Sequence, residues 1–223
     1  MKNSICLIPA RKGSKRIKNK NIKSFFGKPI IFYSIKVAKS SNLFKEIYVS
    51  TDSKKIQKIS IHYGAICKNL RKKNLATDKS KTFDVIKNFV KKLKNPPEII
   101  CCLYPASPFV KKIHIKKAYK ILKLNKNLDI VMPVSEYNNN PLRSLEIKKN
   151  FLKPKNKKCF LLNSNNLNKL YYDTGSFYML RTSFVKKSKS FFPSKTQALV
   201  IKKNSYVDLN DKEDWKLAEK LFV

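Results

Sequence analysis

The chain has 223 residues, a formal net charge of +36 and five cysteines, none of them in CxxC spacing. A chain of this length buries roughly 70% of its unfolded surface as a single domain, and no apolar stretch nears the roughly 20 residues that cross a bilayer, so a disulfide-stapled scaffold, a zinc finger and a membrane span are excluded and a reduced cytoplasmic setting is expected. Only five of the 50 basic residues are arginine, and lysine, asparagine and isoleucine, whose codons share an A/T bias, are spread along the chain; the charge reads as solvated surface with weak polyanion attraction, with neither a membrane nor a specific nucleic acid as partner.

In chain order, Ser4 to Ile8 forms the first predicted strand, and Pro9 withdraws a backbone donor. Gly13 is the expected point of positive φ in the loop that follows. Arg11, Lys15, Arg16, Lys18 and Lys20 crowd this loop. Such crowding is self-repelling and favours a bound anion of nucleoside-triphosphate charge; the plain alternative is a solvated basic turn. Neither standard phosphate loop fits, because Gly13 stands alone and Gly27-Lys28 precedes Pro29 where a hydroxyl is needed.

A helix from Pro29 to Lys39, a strand from Glu46 to Ser50, a helix from Lys54 to Tyr63 and a short strand from Ala65 to Cys67 come next. After them come a helix from Thr82 to Leu93, a strand from Glu98 to Tyr104, a helix from Ile113 to Leu124 and a strand from Asp129 to Val134. This alternation is βαβ grammar, with both sheet faces covered and the loops after strands one, two and four at the ligand-binding edge. From Ser135 to about Ser190 asparagine-rich turns and short β pieces, Arg143 to Ile147 and Tyr171 to Leu180, suggest a lobe inserted into a single domain of residues 1–223. Within it, lysine-rich Leu152 to Lys158 reads as a mobile loop. A strand from Ala198 to Lys202 and a helix from Lys212 to Leu221, entered through Asn210-Asp211, close the pattern. His62 and His114 read as surface residues.

Several ordered blocks carry a resemblance: Pro9-Ala10-Arg11-Lys12-Gly13-Ser14-Lys15-Arg16-Ile17 with Lys20-Asn21-Ile22, Gly27-Lys28-Pro29-Ile30, Val49-Ser50-Thr51-Asp52, Arg71, Leu75-Ala76-Thr77-Asp78 with Thr82, and Tyr104-Pro105-Ala106-Ser107-Pro108. End to end, the chain resembles the acylneuraminate-type cytidylyltransferases, which activate nine-carbon α-keto acid sugars. Sialic acid enzymes usually carry glutamine at the position of Tyr104 and an arginine near Phe109-Val110. Cys101-Cys102-Leu103-Tyr104-Pro105 and Tyr172-Asp173-Thr174-Gly175-Ser176-Phe177-Tyr178 instead resemble the pseudaminic acid cytidylyltransferases, with sialic, legionaminic and other keto-sugars as alternatives.

The resemblance implies a Rossmann-like three-layer α/β core with a mostly parallel mixed sheet, and a small β-rich lobe, approximately 135–190, that binds sugar and packs against a second subunit in a homodimer. The implied reaction joins the anomeric hydroxyl of the sugar to the α-phosphorus of CTP and releases pyrophosphate. Arg11, Lys15 and Lys20 would be the catalytic cations on the phosphates. Ala10, Gly13, Ser14, Asn21, Arg71 and Thr82 would complete the nucleotide site, although Lys72 stands where a proline often follows the family's arginine. Tyr104, Asp173 and Ser176 would face the sugar. Magnesium would rest on Asp208 and Asn210, where the family has Asp-x-Asp; asparagine offers only a neutral oxygen. Asp52 is either a nucleotide contact or a strand-end turn former. A basic nucleic-acid-binding protein is the different-class alternative.

Overall fold

Strands with unbroken apolar sequence become the centre of the sheet, because only there are both faces covered. The computed structural model describes residues 3–192, 194–203 and 205–222. Strand β1 (Ser4–Pro9) leads through the cationic loop to a two-residue hairpin, β2 (Ser24–Phe25) and β3 (Lys28–Pro29). Helix α1 (Ile31–Ser40), β4 (Ile47–Ser50), α2 (Lys54–His62), α3 (Thr82–Lys91), β5 (Ile99–Leu103), α4 (Lys112–Leu124) and β6 (Ile130–Glu136) follow. The chain then forms β7 (Leu145–Lys148), β8 (Phe151–Pro154), α5 (Lys157–Leu161), β9 (Tyr171–Asp173), β10 (Phe177–Arg181), α6 (Thr182–Lys187), β11 (Thr196–Val200) and α7 (Lys212–Leu221).

Among the described residues the main sheet has seven strands in the order β11-β6-β10-β5-β1-β4, with β9 on the far end of β6. β1 is parallel to β4 and β5, while β10 runs antiparallel between β5 and β6. On one face α1, α2 and α4 bury Ile31, Ile35, Ile56, Ile115 and Leu122 against Cys6, Ile8, Cys101 and Met179. On the other, α3 and α6 bury Phe83, Ile86, Phe184 and Val185 against Leu7, Cys102 and Leu180. This is the expected three-layer core with a mixed sheet. A third cluster, Ile17, Phe25, Ile30, Val207, Leu209, Trp215 and Ala218, clamps the cationic loop to α7. Trp215 meets Phe25 edge-on at 5.5 Å, and Lys23 Nζ sits 4.2 Å from its ring centre.

Local expectations change in four places. The lobe is smaller than 135–190: Tyr171–Asp173 and Phe177–Arg181 belong to the main sheet, so the excursion from it lies between β6 and β9 and carries the β7/β8 hairpin and α5. The sequence of β10 looks like a lobe strand because its antiparallel return breaks the βαβ rhythm. Pro29 belongs to the small hairpin and α1 starts at Ile31, the turn using Phe26 (φ 45°) and Gly27 (φ 72°). Gly13 does not adopt positive φ; Asn19, with φ 54°, does so in the same loop. The segment expected as a short strand at Ala65 to Cys67 makes one parallel bridge, Tyr48 to Ile66.

Arg181 closes the end of the sheet remote from the cationic loop. Its side chain donates to the carbonyls of Leu128, Leu122 and Asn125 at 2.7, 2.6 and 2.9 Å and to Glu98 at 3.0 Å. It thereby ties the C-terminus of α4, whose last carbonyls lack helical partners, to the sheet.

Candidate active site

The cationic loop folds back over the C-terminal ends of β1 and β5 because its backbone is tied at both ends. Asp52, at the end of β4, accepts from the Lys12 N–H at 2.8 Å, and buried Asn21 donates its amide to the Arg11 carbonyl at 2.8 Å. Ile17 is pulled into the α7 cluster. The result is a cavity of about 300 Å³ whose walls include Arg11, Lys15, Arg16, Lys20, Arg71 and Tyr104. It opens beyond the strand ends, where the βαβ pattern placed it.

Ten of the expected site residues meet on this cavity: Arg11, Ser14, Lys15, Lys20, Asn21, Arg71, Thr82, Tyr104, Asp208 and Asn210. Ala10 is wholly buried beneath it, and Gly13 lies on the outside of the loop, where an added Cβ meets no atom within 4 Å. Asp173 and Ser176 do not line the wall. Asp173 accepts from the Tyr178 hydroxyl and from the Gly175 N–H, and Ser176 is buried against Thr174 at 2.7 Å. Both hold the loop after β9 in place. His62 and His114 lie away from the wall; His114 is half-buried, and its Nδ1 accepts from the Lys111 N–H.

The cations differ in their environment. Arg11 and Lys15 both pair with Asp78, at 2.6 Å each, and these partners, Lys15 first, hold the Asp78 carboxyl below its usual range. Asp78 reaches these cations only through the fold, since it lies far from the loop in the sequence. Lys20 donates to the Leu209 carbonyl at 2.7 Å, and burial pushes its pKa down, opposed by Asp208. Arg71 is also lowered by burial, and its Nε and Nη2 are buried without a hydrogen-bond partner. A guanidinium in that state selects a ligand acceptor, since unmet buried donors are costly. Opposite it, Tyr104 donates to Thr82 Oγ1 at 3.0 Å.

The third wall is the segment before α7. Asp211 caps that helix, accepting from Glu213 and Asp214 N–H at 2.9 Å each, and Asp214 accepts from the Asn210 N–H at 2.8 Å. Asp208 is therefore not the cap and faces the cavity. Asn210 donates its amide to Asp208 Oδ2 at 2.8 Å, while its Oδ1 accepts from Arg16 at 2.8 Å. No group of three or more His, Cys, Asp or Glu side chains that could hold a metal occurs among the described residues. Asp208 is a carboxylate of the kind that magnesium takes, since that ion binds through one or two carboxylates plus substrate phosphates. Asn210 offers only a neutral oxygen, and that oxygen already accepts from Arg16.

A sheet of this topology with a cation-lined cavity beyond its strand ends is a nucleotidyltransferase fold. A solved CMP:2-keto-3-deoxy-manno-octonic acid synthetase, complexed with CTP, matches it with a TM-score of 0.76, covering 98% of this chain and 97% of that one at 12% identity. A family model described as cytidylyltransferase matches residues 5–220, and the chain belongs to that family of CTP-dependent nucleotidyltransferases. A Helicobacter pylori protein named pseudaminic acid cytidylyltransferase and UDP-2,4-diacetamido-2,4,6-trideoxy-beta-L-altropyranose hydrolase is 36% identical over 197 residues, which are 88% of this chain but 38% of that protein. A Campylobacter jejuni pseudaminic acid cytidylyltransferase is 32% identical over 226 residues, covering 100% of this chain and 97% of that protein. A Legionella pneumophila CMP-N,N'-diacetyllegionaminic acid synthase is 34% identical over 222 residues, 97% of this chain and 95% of that one. No described helix is long and apolar enough to cross a membrane.

Proposed function

We propose that this chain transfers CMP from CTP to the anomeric hydroxyl of a nonulosonic acid, pseudaminic acid first among them. The observation that carries the nucleotide part is one cavity that sets Arg11, Lys15 and Lys20 on one wall and the unpartnered guanidinium nitrogens of Arg71 on another. In this reading Arg71 donates to the cytidine end and the cations hold the triphosphate. The sugar hydroxyl gives up its proton to solvent and its oxygen bonds to the α-phosphorus as the bond to pyrophosphate breaks. Catalysis then rests on alignment and on charge placed where the leaving pyrophosphate develops it. Magnesium, held by Asp208, would supply further neutralisation of that charge.

The sugar assignment rests on Tyr104 and on relatives of that name; the 34% identity with a legionaminic acid enzyme keeps that sugar as the second reading. The lobe supports a homodimer: on β7 and β8, Ile147 and Leu152 are cross-strand partners and are 75% and 63% exposed, adjacent apolar side chains that association would bury. The test is pyrophosphate release from CTP and magnesium with pseudaminic, legionaminic and sialic acids offered separately. Release fastest with pseudaminic acid is expected. Preference for another sugar overturns the assignment, and release with none of them, together with tight salt-sensitive binding of DNA or RNA, overturns the enzyme reading.

A further inference from the structure

Of the cations on the cavity wall, Arg16 is held in a way unlike the others. Arg11 and Lys15 already share Asp78, and Lys20 is tied to a backbone carbonyl beside Asp208. Arg16 makes no ion pair among the described residues. It is oriented by a neutral partner, the side-chain oxygen of Asn210 at 2.8 Å, and that amide turns its NH2 to Asp208 at 2.8 Å. Asn210 is itself fixed through its backbone N–H by Asp214 in the capping box of α7. The chain thus runs from a helix cap through an amide to a guanidinium aimed along the cavity wall.

We infer that Arg16 is a triphosphate-binding residue and that Asn210 is its positioning residue, not a metal ligand. The inference rests on the CTP reading above. Charge decides between the two roles. An aspartate at 210 would pair with Arg16 and cancel the charge that a phosphate must use; an amide holds the same geometry and leaves the full positive charge in place. The same amide, by donating to Asp208, holds that carboxylate turned toward the cavity. Arg16 also offers a planar fork of donors, which lysine at this place would not.

The experiment measures CTP and CMP binding by calorimetry with EDTA present and no sugar, for the wild-type chain, Arg16→Ala, Arg16→Lys and Asn210→Asp. Arg16 is exposed and, among the described residues, its one side-chain hydrogen bond is to Asn210, so its replacement is expected to leave the fold intact, which thermal melting checks. Arg16→Ala is expected to weaken CTP by about 10- to 100-fold, the usual cost of one charge-assisted contact, and CMP much less. Arg16→Lys is expected to recover part of the loss. Asn210→Asp is expected to weaken metal-free CTP binding, because the new carboxylate competes for Arg16. Unchanged CTP binding in Arg16→Ala would overturn the role of Arg16. Metal-free binding equal to wild type in Asn210→Asp, with a lower magnesium requirement for turnover, would place residue 210 in the metal sphere and overturn its positioning role. A wild-type chain that binds no CTP either in EDTA or with magnesium restored would overturn the CTP reading itself, an outcome distinct from both.

Discussion

Lys20 is the wall cation whose charge the fold opposes most directly, since burial lowers its pKa while Asp208 only partly offsets this. The charged form persists below the pKa, so a lowered pKa brings its loss to a lower pH than for an ordinary lysine. The KM for CTP is therefore expected to rise on the alkaline side, and Lys20→Arg to move that limb to higher pH, because arginine stays charged. A pH series of KM that is the same in both proteins would remove Lys20 from triphosphate binding. Asp78 poses the opposite case: its carboxylate sits where Arg11 and Lys15 converge, so a triphosphate held by those cations would have to displace it. Asp78→Asn should lower the KM for CTP several-fold; steady-state kinetics showing a higher KM would mean that Asp78 helps to hold the nucleotide. These residue environments were only half legible in the sequence. Cation crowding showed in the spacing of Arg11, Lys15 and Lys20, but which cation has which partner depends on Asp78 and Asn210, brought in from distant loops.

At the scale of elements, the apolar runs gave β1, β5 and β6 almost to the residue because burial on both faces leaves a strong signal. β10 was misplaced into the lobe because its sequence, Phe177 to Arg181, is equally apolar but its direction is set by tertiary pairing with β5. Gly13 was misread for a related reason, as glycine permits a left-handed turn without requiring one, and the loop uses Asn19 for it. The elements also predict where stability concentrates. Arg181 is 9% exposed and serves three carbonyls around the end of α4. Arg181→Met should cost about 2–4 kcal/mol, because those buried acceptors lose their donors. Urea unfolding measures this, and a loss under about 0.5 kcal/mol would show that water replaces the guanidinium without penalty.

For the whole molecule, the +36 charge and the lobe act against each other. Like charge spread over the surface disfavours self-association, while the apolar face around Ile147 and Leu152 favours it. The homodimer proposed above is expected to tighten with salt, since screening removes repulsion and leaves burial. Ile147→Asp should give a monomer by light scattering; an unchanged dimer would place the interface elsewhere.

The clamp of α7 on the cationic loop has a consequence for how the molecule comes to exist. Arg16 and Asn210 are 194 positions apart, and Lys20 and Leu209 are 189 apart. Contacts of such separation close after local ones, because the loop entropy must be overcome first. The mixed sheet can therefore form while the catalytic mouth is still unmade, and nucleotide should act as the fastener. CTP is expected to slow amide hydrogen exchange in α7 and in residues 11–22 more than in β5, and uniform protection throughout would show that mouth and sheet assemble together.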